Sequence, residues 1–186
     1  MCTRRYKFHP DFDAALAGIL RKGAPGSVIA LVWGKARHWT NALLQRFTET
    51  MGVELTKRII LLPRIASTKM PKMLAAADVV LDTFPYGGGV TSFEALSVGR
   101  PVVTLAFDTM PGRFTYAFYV RMGMWDCIAF DANEYVETAV ALGVNETFRE
   151  EVSEKITATV GRIFNDQTAI RAFEQEMIAA VNERRS

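Results

Sequence analysis

The residue types best suited to chemistry are concentrated between Asp82 and Thr104. Asp82-Thr83-Phe84-Pro85-Tyr86 leaves an apolar run, Gly87-Gly88-Gly89 follows, and Val90-Thr91-Ser92 opens a helical pattern whose apolar face includes Phe93, Ala95 and Leu96. Glycines without a Cβ let backbone N–H groups approach a ligand closely, and a helix N-terminus adds unpaired donors and the positive end of a dipole. Such a segment suits an anion. It is not a Walker loop, because no Gly-Lys-Ser/Thr follows, and it is not the Gly-x-Gly-x-x-Gly dinucleotide fingerprint. Thr91-Ser92-Phe93-Glu94 also fits a capping box, with Thr91 as N-cap and Glu94 folded back on its amide. A Glu94 committed to the cap has fewer lone pairs for a ligand hydroxyl, so the two readings compete.

The elements that must position this segment follow from periodicity. Short β-branched runs at Thr3–Phe8, Ser27–Trp33, Arg58–Leu62, Val79–Thr83, Pro101–Leu105 and Asp126–Phe130 alternate with helical patterns. The helices are expected at Asp11–Lys22, Thr40–Met51, Lys69–Ala77, Ser92–Val98, Arg113–Met122, Asn133–Leu142, Glu146–Phe164 and Asp166–Val181. Alternation of this kind predicts a Rossmann-like, doubly wound α/β fold with a parallel sheet of about six strands, whose ligands bind beyond the strands' carboxyl ends. No repeat, low-complexity stretch or linker interrupts it, so residues 1–186 read as one domain. The first strand starts almost at Met1, which suggests a fragment or a chain whose other half is absent.

Composition narrows the class. Hydrophobic residues make up 49% and charged residues 23% of the 186 positions, as in a soluble globular protein. No apolar run approaches the ~20 residues of a membrane span, and the start is polar where a secretory signal needs its apolar stretch. The expectation is a cytoplasmic chain without membrane contact, with the nucleus as the alternative. Cys2 and Cys127 make no disulfide framework, and with His9 and His38 they lack metal-ligand spacing. Residues 1–72 hold 13 Lys and Arg against 4 Asp and Glu, while residues 73–186 hold 9 against 16. A basic first half can face a phosphate, but no nucleic-acid motif accompanies it. Asn145-Glu146-Thr147 is a formal glycosylation sequon, read as chance in a cytosolic chain.

The order of motifs resembles the catalytic region of the O-GlcNAc transferase family, which includes the SPINDLY-type enzymes. The resemblance rests on Leu81-Asp82-Thr83, Pro85, Gly87–Gly89, Thr91-Ser92, Glu94 and Gly99-Arg100-Pro101-Val102-Val103-Thr104. It extends to Gly112-Arg113, Gly123, Glu134-Tyr135 and, at the start, Tyr6-Lys7-Phe8-His9-Pro10. It implies the C-terminal, donor-binding half of a GT-B glycosyltransferase of the inverting kind, moving GlcNAc from UDP-GlcNAc to Ser/Thr hydroxyls of proteins. It further implies that Lys7 neutralises the diphosphate as the leaving group departs, and that Thr91, Ser92 and the amides of Gly87, Gly88, Gly89 and Val90 hold the distal phosphate. Glu94 stands where the family places an Asp on the ribose. Arg64, Ile65 and Ser67 would border the base, and Tyr6 the sugar.

Gly89 and Val90 stand where better-known members carry His and Thr, and Ser67 and Met70 replace a Lys and a His. These departures leave two alternatives, another nucleotide-sugar enzyme of GT-B architecture (a GDP-fucose transferase or an epimerase) and a non-catalytic interaction module. The expected partners are the nucleotide sugar, a protein acceptor and an absent N-terminal half. No metal or other cofactor is expected. The isolated chain is expected to bind nucleotide without transferring sugar.

Overall fold

A computed structural model describes residues 7–32, 37–164 and 166–184. Helix α1 (Pro10–Lys22) leads to strand β1 (Ile29–Val32), helix α2 (Arg37–Met51), a short helix α3 (Val53–Thr56) and strand β2 (Ile59–Leu62). Then come α4 (Met70–Ala75), β3 (Val80–Leu81), α5 (Val90–Ser97), β4 (Val102–Leu105), α6 (Phe114–Met122) and β5 (Ile128–Ala129). Helices α7 (Ala132–Val144), α8 (Glu146–Thr159) and α9 (Gln167–Glu183) close the chain.

The strands are parallel, as the alternation predicts. β1 pairs with β2 in the register Ile29↔Ile59, and β3 pairs with β4, which pairs with β5. Among the described residues there are five strands, in sheets of two and three, in place of one sheet of about six. Residues 3–6 of the expected first strand lie outside the described residues. Lys7 and Phe8 are not strand. The amide of His9 turns back to the Lys7 carbonyl at 3.0 Å, and Pro10 then fixes the first turn of α1.

Local chemistry explains the helix ends. His9 caps α1, with Asp11 and Asp13 in its first turn and Arg21 and Lys22 in its last, which matches the helix dipole. Asp131, Asn145 and Asp166 cap α7, α8 and α9 through their side chains. Asn145 of the formal sequon is therefore a helix cap. Gly123, at φ 76°, ends α6 in the left-handed region where a Cβ is unfavourable.

The apolar faces converge on one core, with Phe12, Leu16 and Leu20 of α1, Val102 and Val103 of β4, and Tyr135 and Leu142 of α7 fully buried. Within it Phe12, Phe84 and Tyr135 form a triangle of edge-to-face rings, 4.9, 5.3 and 5.9 Å between centroids. This triangle clamps the segment after β3 between α1 and α7. A bidentate pair adds to it: Arg46 of α2 donates to both oxygens of buried Asp13 at 2.9 Å and to the Phe8 carbonyl at 3.0 Å. Phe8 and its neighbour Lys7 are thus fixed beside α1 and α2.

Helix α9 differs from the rest. None of its residues is buried, and Ile170, Phe173, Met177, Ile178 and Val181 form an exposed apolar stripe, Phe173 at 68%.

Candidate nucleotide-sugar site

The segment after β3 folds over its own aspartate. Asp82 is 5% exposed; its Oδ1 accepts from the Gly88 amide and its Oδ2 from the Thr104 hydroxyl of β4 at 2.9 Å. Its carbonyl accepts from the Tyr135 hydroxyl at 2.8 Å. Thr83 donates to the Tyr86 carbonyl at 2.7 Å and closes the turn, which contains a cis Phe84-Pro85 bond. The Gly87 amide donates to the Pro111 carbonyl at 3.0 Å, tying the loop to the turn before α6. On α6, Thr115 donates to Ser92 at 2.8 Å, and both side chains are buried. A Cβ on Gly88 would lie 2.4 Å from Ser92 Oγ, so only glycine fits there.

Burial pushes the Asp82 carboxyl above the usual carboxylate range; hydrogen bonds from Thr115, the Gly88 amide and Thr104, and the charge of Lys7, pull it back. Lys7 reaches the loop from the other end of the chain. Its ammonium donates to the Gly87 carbonyl and lies 4.6 Å from the centroid of the Tyr86 ring. Residues 80 positions apart are joined here. The motif around Lys7 and the glycine motif therefore form one constellation.

The structure sorts the other expected site residues. Helix α5 begins at Val90, with Gly89 at the N-cap and no side-chain capping bond. The capping box is therefore corrected: Thr91 sits inside the first turn, and Glu94 is not folded back on a cap. The helix starts two residues earlier because Gly88 and Ser92, four residues apart, are drawn together by the buried network. Glu94 is half-buried, which raises the proton affinity of its carboxyl. The amides of Gly87 and Gly88 are spent on Pro111 and Asp82, which leaves those of Gly89 and Val90 as the open donors at the loop. Ser92 supports the loop from below and Thr91 is half-buried. Val90 is 77% exposed and brings no polar group.

Arg64 and Ser67 are exposed at the carboxyl end of β2, and Ile65 lines an apolar pocket with Ile29, Leu62 and Leu81. They make no hydrogen bond to the glycine loop among the described residues. Tyr6 lies outside the described residues. Sequence reasoning gave no role to Thr104, Thr115 or Tyr135, and Asp82 entered only as part of a motif. A signal existed for Asp82 alone, a carboxylate directly after a fully buried strand.

Residues 2–175 match glycosyl transferase family 41. The chain belongs to this family. A protein of Arabidopsis thaliana, named probable UDP-N-acetylglucosamine–peptide N-acetylglucosaminyltransferase SPINDLY, is 32% identical over 111 residues, 58% of this chain and 12% of that protein. A UDP-N-acetylglucosamine–peptide N-acetylglucosaminyltransferase of Caenorhabditis elegans is 33% identical over 69 residues, 37% of this chain and 6% of that protein. A solved structure of a mutant O-GlcNAc transferase from Thermobaculum terrenum superposes with a TM-score of 0.80 at 27% identity, covering 92% of this chain and 33% of that one. The family 41 chain thus spans a small part of the length of these relatives, and it shares the GT-B fold of the Thermobaculum enzyme over that part. The N-terminal domain of Candida albicans trehalose-6-phosphate phosphatase shares the fold at a TM-score of 0.53 and 16% identity.

Proposed function

We propose that this chain is the donor-binding half of an inverting glycosyltransferase that moves GlcNAc from UDP-GlcNAc to Ser/Thr hydroxyls of proteins. The observation that carries the reading is the docking of Lys7 on the Gly87 carbonyl, beside the open amides at the start of α5. A cation and a helix N-terminus at one loop make a diphosphate site.

Each residue then has a task. The amides of Gly89 and Val90 take the distal phosphate, and Lys7 offsets the charge that grows on the diphosphate as the acceptor hydroxyl attacks the anomeric carbon and the glycosidic C–O bond breaks. Glu94, not spent on a cap, accepts from the ribose hydroxyls. Arg64 and Ser67 border the base. The acceptor and its base belong to a second domain, and the exposed stripe on α9 supports an apolar neighbour of that kind.

Calorimetric titration with UDP and GDP tests this. Binding of UDP in preference to GDP is expected. Preference for GDP moves the reading to a GDP-sugar enzyme, for which nothing in the loop would need to change. Binding of neither supports the non-catalytic module, a reading favoured by the apolar, exposed Val90 and by the side-chain-free Gly89.

A further inference from the structure

Asp82 is unexpected at a site for anions. A Cβ built on Gly87 would lie 3.0 Å from Asp82 Oδ2 and one on Gly88 would lie 3.1 Å from Oδ1, so the loop backbone rests directly on the carboxylate. A diphosphate held by the same loop would then face a buried negative charge through a single layer of backbone. The groups around Asp82 do little to neutralise it. Gly88 and Thr104 donate to it, Thr115 of α6 stands beside it, and Tyr135 of α7 donates to its carbonyl. Tyr119 of α6, paired with Cys127 next to β5, responds to its charge and stays neutral, because burial raises the proton affinity of both. Among the described residues, Lys7 is the cation whose charge acts on it.

We propose that Asp82 is a positioning residue with an electrostatic cost: it fixes the Gly87–Gly89 loop from below while its charge opposes the diphosphate above, so nucleotide binding and protonation of Asp82 are coupled. The inference rests on the nucleotide-sugar reading of the loop. A bound diphosphate adds negative charge well within a Debye length and engages Lys7, whose field otherwise offsets the carboxylate. Both effects favour the protonated form. By linkage, the factor by which binding raises the proton affinity of Asp82 equals the factor by which protonation tightens binding. Free UDP carries more negative charge than the same diphosphate esterified to a sugar. An ionised Asp82 therefore disfavours product more than donor and promotes its release.

Carboxyl carbon NMR of the whole chain tests this, with the Asp82 side chain assigned through bonds from its own backbone and titrated from about pH 4 to pH 8 with and without saturating UDP-GlcNAc. UDP-GlcNAc serves as the probe because its esterified diphosphate does not titrate there. The Asp82 midpoint is expected to rise when nucleotide is bound; a midpoint unmoved by bound nucleotide overturns the coupling. Asp82→Asn keeps an acceptor for the Gly88 amide and removes the charge. At about pH 8 it should bind UDP-GlcNAc about three- to tenfold more tightly, gain more for UDP, and lose the pH dependence. Equal or weaker binding by the folded variant would mean that the aspartate is only a structural support. If the variant does not fold, the titration of the parent chain decides alone. If no nucleotide binds at any pH, the nucleotide-sugar reading fails and this inference with it, a result distinct from bound nucleotide that leaves Asp82 unmoved.

Discussion

The glycine loop after β3 and the Arg64–Ser67 segment after β2 occupy equivalent places at strand ends, yet they are built in opposite ways. The first is held from beneath by Asp82, Thr104, Thr115 and Tyr135, and from the side by Pro111. The second is mostly exposed and enters a single 3-10 turn, Ser67–Lys69, without a side-chain cap. Recognition of a phosphate by backbone amides requires fixed donors, since a mobile amide regains in solvent what it offers the ligand. Recognition of a base edge tolerates adjustable side chains. On the proposed reading, the first segment would hold the diphosphate common to nucleotide sugars and the second would border the base, which varies among them.

Breaking the comparison begins with the loop itself. Gly88→Ala places a methyl group 2.4 Å from a hydroxyl that Thr115 holds in place. We expect a loss of about 2 to 3 kcal/mol in denaturant unfolding. Gly89→Ala, whose Cβ would meet only a Phe114 ring carbon at 3.9 Å, should cost no more than the loss of glycine at an N-cap, about 1 kcal/mol or less. Equal losses at the two positions would show that the loop is not supported from below.

Next in size is Lys7→Ala. Removing one charge-assisted contact should weaken UDP binding by about 1.5 to 3 kcal/mol. The same change should also lower the unfolding midpoint modestly, because Lys7 donates to the Gly87 carbonyl and offsets the buried Asp82. An unchanged affinity in calorimetry would remove Lys7 from the site.

The pH response of stability is smaller, and its sign is fixed. The folded chain holds the Asp82 proton more tightly than the unfolded chain, so between the ordinary carboxylate range and the raised folded value the folded state binds more protons. The contribution of Asp82 to stability is then highest at low pH and declines as pH rises through that window. Melting curves of the parent and Asp82→Asn should diverge in favour of the variant as pH rises; a constant difference from about pH 4 to pH 8 contradicts the buried charge. The smallest effects are expected across the second segment, where Arg64→Ala and Ser67→Ala should each alter stability by less than about 0.5 kcal/mol and shift the preference between UDP and GDP.

How much of this was legible in the sequence follows the range of the interactions. Helices such as α1 and α7 were visible because cap, dipole and apolar stripe lie within one segment. Residues after β3 were visible as a loop with a helix start because glycines and a strand end are local signals. The short helix Val53–Thr56 was not, since it buries no residue and follows Gly52 at φ 90° without a side-chain cap. The start of α5 is displaced by two residues because the competing partner of Ser92 is Thr115, 23 positions away. For the same reason the support of Asp82 by Thr104 and Tyr135 leaves no mark on local spacing.

Arg46 carries a consequence of its own. Its guanidinium spans Asp13 on α1 and the Phe8 carbonyl, one peptide from Lys7. The placement of Lys7 beside the glycine loop is thereby governed from α2. Its planar fork makes three bonds at once, so a lysine there, with a single ammonium point, would keep the charge and lose the bearing. A survey of substitutions confined to the loop would overlook such a residue, because its replacement would displace Lys7 while every residue of the loop stays in place.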